Sequence, residues 1–249
     1  MDINILTTFP SFTDSIKDYS MIKRAVEAGI VSINSVDIRA FSDDPNQRTD
    51  DYPYGGGNGM LMCCQPIYDA LQSIENPGTV IYMSPHGKTI NQEVLNELSK
   101  LPAMTILCGH YEGVDRRIID NYVNLELSVG DYVLTGGELP AMMLIDGVSR
   151  LLPGLLKSED SYTEESFYHG LLEHPQYTRP YDFNGFKVPD ILLSGNHKLV
   201  DKYNLMESIK LTKRLRPDLI DELDADKFED KEIRNFIIKM KEGGYDERY

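Results

Sequence analysis

The feature that most restricts this chain is an alternation, over its first 150 residues, of short apolar runs with segments of helical period. Ile3 to Phe9 is β-prone and closed by Pro10, whereas Asp18 to Ile30 carries Met21, Ile22, Ala25, Val26 and Gly29 at helical spacing. Val31, Ile33, Val36 and Ile38 lean towards a strand, and Pro66 to Ile74 reads as a helix. Three further strands are expected at Thr79 to Met83, Met104 to Leu107 and Val123 to Leu127, separated by helices at Asn91 to Leu101 and Asp115 to Tyr122. Such alternation predicts an α/β fold with a mostly parallel sheet and helices on both faces.

In that class ligands sit beyond the carboxyl ends of strands. Gly130 to Pro140 reads as a short strand (Tyr132, Val133, Leu134), a turn at Gly136-Gly137, and a helix with Pro140 in its first turn. Two other strand ends carry the same mixture of small and polar residues: Ser84-Pro85-His86-Gly87, and Cys108-Gly109-His110-Tyr111-Glu112-Gly113. Each alone could be a turn. Together at one sheet edge they suggest one pocket.

Beyond Leu152-Pro153-Gly154 the pattern changes. Lys157 to Ser166 is polar and acidic, as in an exposed linker. Asn196 is placed to cap a helix that runs to Arg216-Pro217, and a last helix has Phe228, Ile233, Phe236, Ile237 and Met240 at helical spacing. The expected organisation is an α/β domain over 1–156, a linker over 157–166 and a small helical domain over 167–249.

No apolar run can span a bilayer, Met1-Asp2-Ile3-Asn4 lacks the basic start of a signal peptide, and three cysteines outside C-x-x-C spacing point to reduced thiols in a cytoplasmic protein. A net charge of −15 argues against a general nucleic-acid coat, although His197 to Arg216 is locally basic. Tyr54-Gly55-Gly56-Gly57-Asn58-Gly59, in the aperiodic stretch Ser42 to Gly59, lacks the lysine and spacing of a phosphate loop. The five histidines have no metal-site spacing, and no G-x-S-x-G elbow occurs.

The glycine loop at Pro53 to Met60, the Cys108 to Gly113 and Gly130 to Pro140 segments, Gly170 to Pro180, and Leu192-Leu193-Ser194-Gly195-Asn196-His197 together resemble the bacterial tRNA (guanine-N1)-methyltransferases. The resemblance runs in order over nearly the whole chain. It implies a deep trefoil knot of the SPOUT class, which connectivity rules alone would never propose, in a homodimer whose linker and helical domain close over the partner's pocket. It implies S-adenosylmethionine bound by Tyr82, Ser84 and Pro85, by Gly109, Tyr111 and Glu112, by Val129, Gly130, Asp131, Tyr132, Val133 and Leu134, and by Gly136, Gly137 and Pro140. The implied acceptor is N1 of guanosine 37 in tRNA, just 3′ of the anticodon, giving 1-methylguanosine.

For RNA the candidates are Arg48, Gly55 and Gly57 in the long loop, His110 at the pocket, and Lys210, Lys213 and Arg214 in the basic segment. Arg150 matches the family's stabiliser of guanine O6. The family's base is an aspartate before a Ser-Phe pair; here Glu165 precedes Ser166-Phe167, with Asp160 upstream as the alternative acid. His110 departs too, since many relatives carry arginine there. Mg²⁺ dependence is implied without any ligand cluster to place the ion. A knotted RNA binder without chemistry, and a ribose 2′-hydroxyl methyltransferase of the same class, stay open at this point.

Overall fold

The computed structural model describes residues 1–156 and 165–243. The chain divides into two compact units, Met1–Ser158 and Glu159–Tyr249. The first contains β1 (Asp2–Thr7), α1 (Pro10–Asp14), α2 (Ser20–Glu27), β2 (Ser32–Asp37), β3 (Asp50–Asp51), β4 (Leu61–Met62), α3 (Cys64–Gln72), β5 (Thr79–Thr89), α4 (Gln92–Leu98), β6 (Ala103–Cys108), α5 (Arg116–Tyr122), β7 (Leu125–Ser128) and α6 (Glu138–Ser149). Five strands form one sheet in the order β2-β1-β6-β5-β7, and every pair is parallel.

The two-residue period of the strands divides the core between the faces of the sheet. Ile3, Ile5, Ile81, Met104 and Ile106 point to one face, against Ile22 and Ala25 of α2, Val94 and Leu98 of α4, and Leu144, Ile145 and Val148 of α6. Leu6, Val80, Tyr82 and Leu107 point to the other, against Ile67, Ala70 and Leu71 of α3 and Ile118 and Ile119 of α5. Every residue of the middle strand β6 is buried, as expected of a parallel strand covered on both sides. Side chains cap the flanking helices: Asn91 accepts from the Val94 N–H at 2.9 Å, and Asp115 from the Arg117 N–H at 2.9 Å.

Two expectations need correction. No strand forms at Tyr132 to Leu134; β7 ends at Ser128, and the following residues make a loop in which Val133 is 82% exposed. Their β-prone side chains have no neighbouring strand to pair with, and context overrides propensity. Nor does β5 stop at Met83. It continues to Thr89 around a bulge, with Met83 and Lys88 both opposite Leu127, so that Ser84 to Gly87 project from the sheet edge.

In the second unit β8 (Asp182–Phe183) and β9 (Phe186–Lys187) form a hairpin that composition did not signal. It precedes α7 (His197–Leu215), α8 (Pro217–Glu222) and α9 (Lys231–Lys241). Asn196 caps α7, accepting from the Leu199 N–H at 3.4 Å, and Pro217 stops α7 and opens α8. Ile209, Ile220, Ile233, Ile237 and Met240 build a separate core. Most of the expected linker, including Asp160, lies outside the described residues.

The bulge depends on Gly87, where an added Cβ would lie 2.4 Å from the backbone of Glu126 and Leu127. Gly87→Ala is expected to cost about 1–3 kcal/mol, as other overpacked sites do. Urea unfolding measures the loss, and an unchanged midpoint would mean that β5 and β7 can separate there freely.

Candidate active site

At the carboxyl edge of the sheet, the bulge of β5, the loop after β6 and the loop after β7 enclose a cleft of about 390 Å³. Tyr82, Ser84 and Pro85 line it from β5, and Gly109, His110, Tyr111 and Glu112 from the loop after β6. Val129, Tyr132, Val133, Leu134, Gly136 and Gly137 line it from the loop after β7, and Pro140 from the first turn of α6. Gly130 and Asp131 do not line it. Gly130 acts indirectly: at φ 147° it turns the chain so that Tyr132 folds back, and an added Cβ would sit 2.8 Å from that ring. His86, Gly113 and Thr135, inside the three strand-end segments, also line the cleft, as do Met83, Leu127 and Ser128, whose only sequence signal was adjacency to those segments.

The walls are joined by backbone. Gly137 N–H donates to Gly109 C=O at 2.9 Å, and His110 and Gly136 form an isolated bridge. A Cβ on Gly137 would fall 2.7 Å from Cys108 Cα, so no larger residue fits without separating helix from strand. On the other side, Met62 N–H donates to Gly113 C=O at 2.9 Å and Glu112 N–H to Met60 C=O at 3.0 Å, tying the end of the glycine loop to the site. Gly55 and Gly57 are exposed at positive φ, and Arg48 is engaged with Asp44 at 3.0 Å.

His110, expected against the guanine, faces a buried acid. Its Nε2 lies 2.7 Å from Glu138 Oε2, and Thr7 Oγ1–H donates to Glu138 Oε1 at 2.6 Å. Burial pushes the Glu138 carboxyl up, but the hydrogen bonds and charge of His110 and the hydroxyl of Thr7 outweigh it, leaving it below its ordinary value of 4.5. An ionised carboxylate only accepts, so the ring must present Nε2–H. Glu138 and Thr7 were missed by the sequence reading because neither contact is local.

Arg150 ends α6 in the first unit, and Glu165 is the first described residue of the second after residue 156. Glu165 lines a groove of about 1010 Å³ within that unit, alongside Tyr168, His169, Glu173 and Asp201. The basic segment is partly neutralised. Lys210 pairs with Glu207 at 2.7 Å, Lys213 approaches Asp221 at 3.9 Å, and Arg214 has no ion-pair partner among the described residues. No group of three or more His, Cys, Asp or Glu among the described residues could hold a metal ion, and no described helix is long and apolar enough to cross a membrane.

Parallel strands with a backbone-walled cleft at their carboxyl edge define a ligand-binding α/β protein, of a kind that hosts many chemistries. A model of the tRNA (Guanine-1)-methyltransferase TrmD family matches residues 1–222. The tRNA (guanine-N(1)-)-methyltransferase of Ruminiclostridium cellulolyticum is 52% identical over 227 residues, covering 90% of this chain and 97% of the relative. That of Clostridioides difficile is 52% identical over 225 residues, with 88% and 97% covered. The enzyme of Clostridium kluyveri is 46% identical over 245 residues, with 98% of both chains covered. The chain belongs to the tRNA (guanine-N1)-methyltransferase family.

The depressed carboxyl of Glu138 sets a pH dependence. A lowered folded value contributes stability that is complete above the unfolded value and is lost as pH falls through the folded one. Glu138→Gln should therefore cost about 1–3 kcal/mol at pH 7, and its gap from the parent should narrow below about pH 4.5. Urea unfolding at pH 7 and pH 3 measures both. A gap unchanged at pH 3 would contradict the assignment.

Proposed function

We propose that the cleft binds S-adenosylmethionine and that the chain transfers its methyl group to N1 of guanosine 37 in tRNA, giving 1-methylguanosine. The observation that carries this reading is the convergence of the three motif loops on one cleft, in a chain of this family. Its volume lies within the usual range for small-molecule sites, and its walls mix backbone polar groups with Tyr82, Pro85, Val129 and Leu134. That lining fits a purine and ribose: backbone groups can read the adenine edge, while apolar side chains pack on its faces. When bound, S-adenosylmethionine supplies an activated methyl group on a sulfonium sulfur.

The chain must then orient the guanine, remove its N1 proton and stabilise charge on O6. Glu165 is the proposed base, by its place before Ser166-Phe167, and Arg150 the proposed partner of O6. A base of this kind contributes about 10²–10⁴-fold, whereas positioning can contribute more. Because Glu165 lies in the second unit, the reading includes a homodimer in which one chain's second unit serves the other's cleft. Val133, Leu139 and Met143, all at least half exposed near the cleft, support a covering surface there. A trefoil knot is part of the same proposal. After edge strand β7 the chain returns to bridge His110 beside the central strand, an unusual path for an open sheet. For tRNA, Arg214 and the exposed loop around Gly55 and Gly57 are the proposed contacts, with Lys210 and Lys213 available once their acidic partners are displaced. The implied Mg²⁺ has no assigned ligand here.

Incubation with methyl-labelled S-adenosylmethionine and unmodified tRNA should place the label in 1-methylguanosine. A ribose-methylated nucleoside, or no incorporation, would contradict the reading. Glu165→Gln should reduce single-turnover transfer by about 10²-fold or more while the donor still binds, and Glu165→Asp should stay active. Near-normal turnover in Glu165→Gln, with loss in Asp160→Asn, would move the base to Asp160.

A further inference from the structure

We infer that Glu138 is a positioning residue for the donor cleft: through His110 it locks the loop after β6 to the start of α6. This rests on the reading of that cleft as the donor site. Glu138 occupies the first position of α6, next to Gly137, where a carboxylate is favoured by the helix N-terminus. Its side chain is almost fully buried, yet it draws one donor from the end of β1 and another from the loop after β6. These are Thr7 and His110, which are 131 and 28 residues away in sequence.

The His110 ring has little freedom. Phe9 lies with its ring centroid 4.9 Å away, and a Cβ on Gly136 would meet His110 Cε1 at 2.4 Å. Rotation of the ring would leave the buried carboxylate short of a donor, which is strongly disfavoured. The residues on either side of this link are cleft wall: Gly109, Tyr111 and Glu112 beyond the imidazole, Gly136 and Gly137 before the carboxylate. Thr7 also holds the chain leaving β1, through its Oγ1 and the Phe9 N–H at 2.9 Å. The link therefore adds a buried side-chain tie to the backbone bridge between these two cleft walls, and orients the residues that the bridge leaves free.

Calorimetric titration of S-adenosylmethionine into the full chain tests this, using the parent, Glu138→Gln, His110→Asn and the double variant. Each single variant should bind about tenfold more weakly, equivalent to about 1.4 kcal/mol. The double variant should bind no more weakly than the worse single, because both changes break the same link. For Glu138→Gln the KM for tRNA should stay within about twofold, since non-uniform losses separate donor positioning from general damage. Thr7→Val, which keeps the imidazole contact, should lose less than either. Donor binding by Glu138→Gln within about twofold of the parent, or losses that add in the double variant, would overturn the inference. If Glu138→Gln fails to fold by circular dichroism, His110→Asn carries the test, and parent-like donor affinity in it overturns the lock. A parent that binds no S-adenosylmethionine would instead remove the donor-site reading, and the lock with it.

Discussion

The site depends on one close approach, that of the Gly137 backbone to the backbone of Cys108 and Gly109. A parallel strand ordinarily delivers its chain to a loop and hands it on to a covering helix. Here α6 begins pressed against the end of the central strand, with space for hydrogen and not for carbon. The Gly137 N–H to Gly109 C=O hydrogen bond holds the two together, and the loop between β7 and α6 is left to arch outward as a cleft wall. The same proximity brings Glu138 beneath His110, so one steric fact sets both the shape and the local charge of the site.

Much of the basic charge is committed to nearby acids. A chain of net charge −15 cannot attract a polyanion by its average field, and screening confines any attraction to within about 10 Å at moderate salt. In the described residues many basic side chains are committed to nearby acids: Arg48 to Asp44, Lys202 to Asp230, Lys210 to Glu207 and Arg216 to Asp218. These pairs are at least partly solvent-exposed and individually weak. A phosphate could compete for such cations at modest cost.

Elements governed by local chemistry were legible in the sequence. Asn196 announces its helix because a side-chain cap is a nearest-neighbour event, and Pro217 stops α7 by its missing N–H. The division of the core follows from strand period. What was not legible depended on pairing at a distance. The bulge at Ser84 to Gly87 exists because Met83 and Lys88 share Leu127 as a partner. Tyr132, Val133 and Leu134 have strand-like composition, but their place is a cleft wall beyond the edge strand. The partnership of Thr7 with Glu138 spans 131 residues. The identities of the motif loops came from family resemblance, since periodicity could only say that three strand ends share an edge.

Backbone hydrogen exchange with and without S-adenosylmethionine tests the central claim most directly, because it reports which segments the donor orders. Slowed exchange is predicted in 84–87, 109–113 and 129–137, the three walls of the cleft. Protection absent from these segments, or confined to the groove around Tyr168 and His169, would contradict the account.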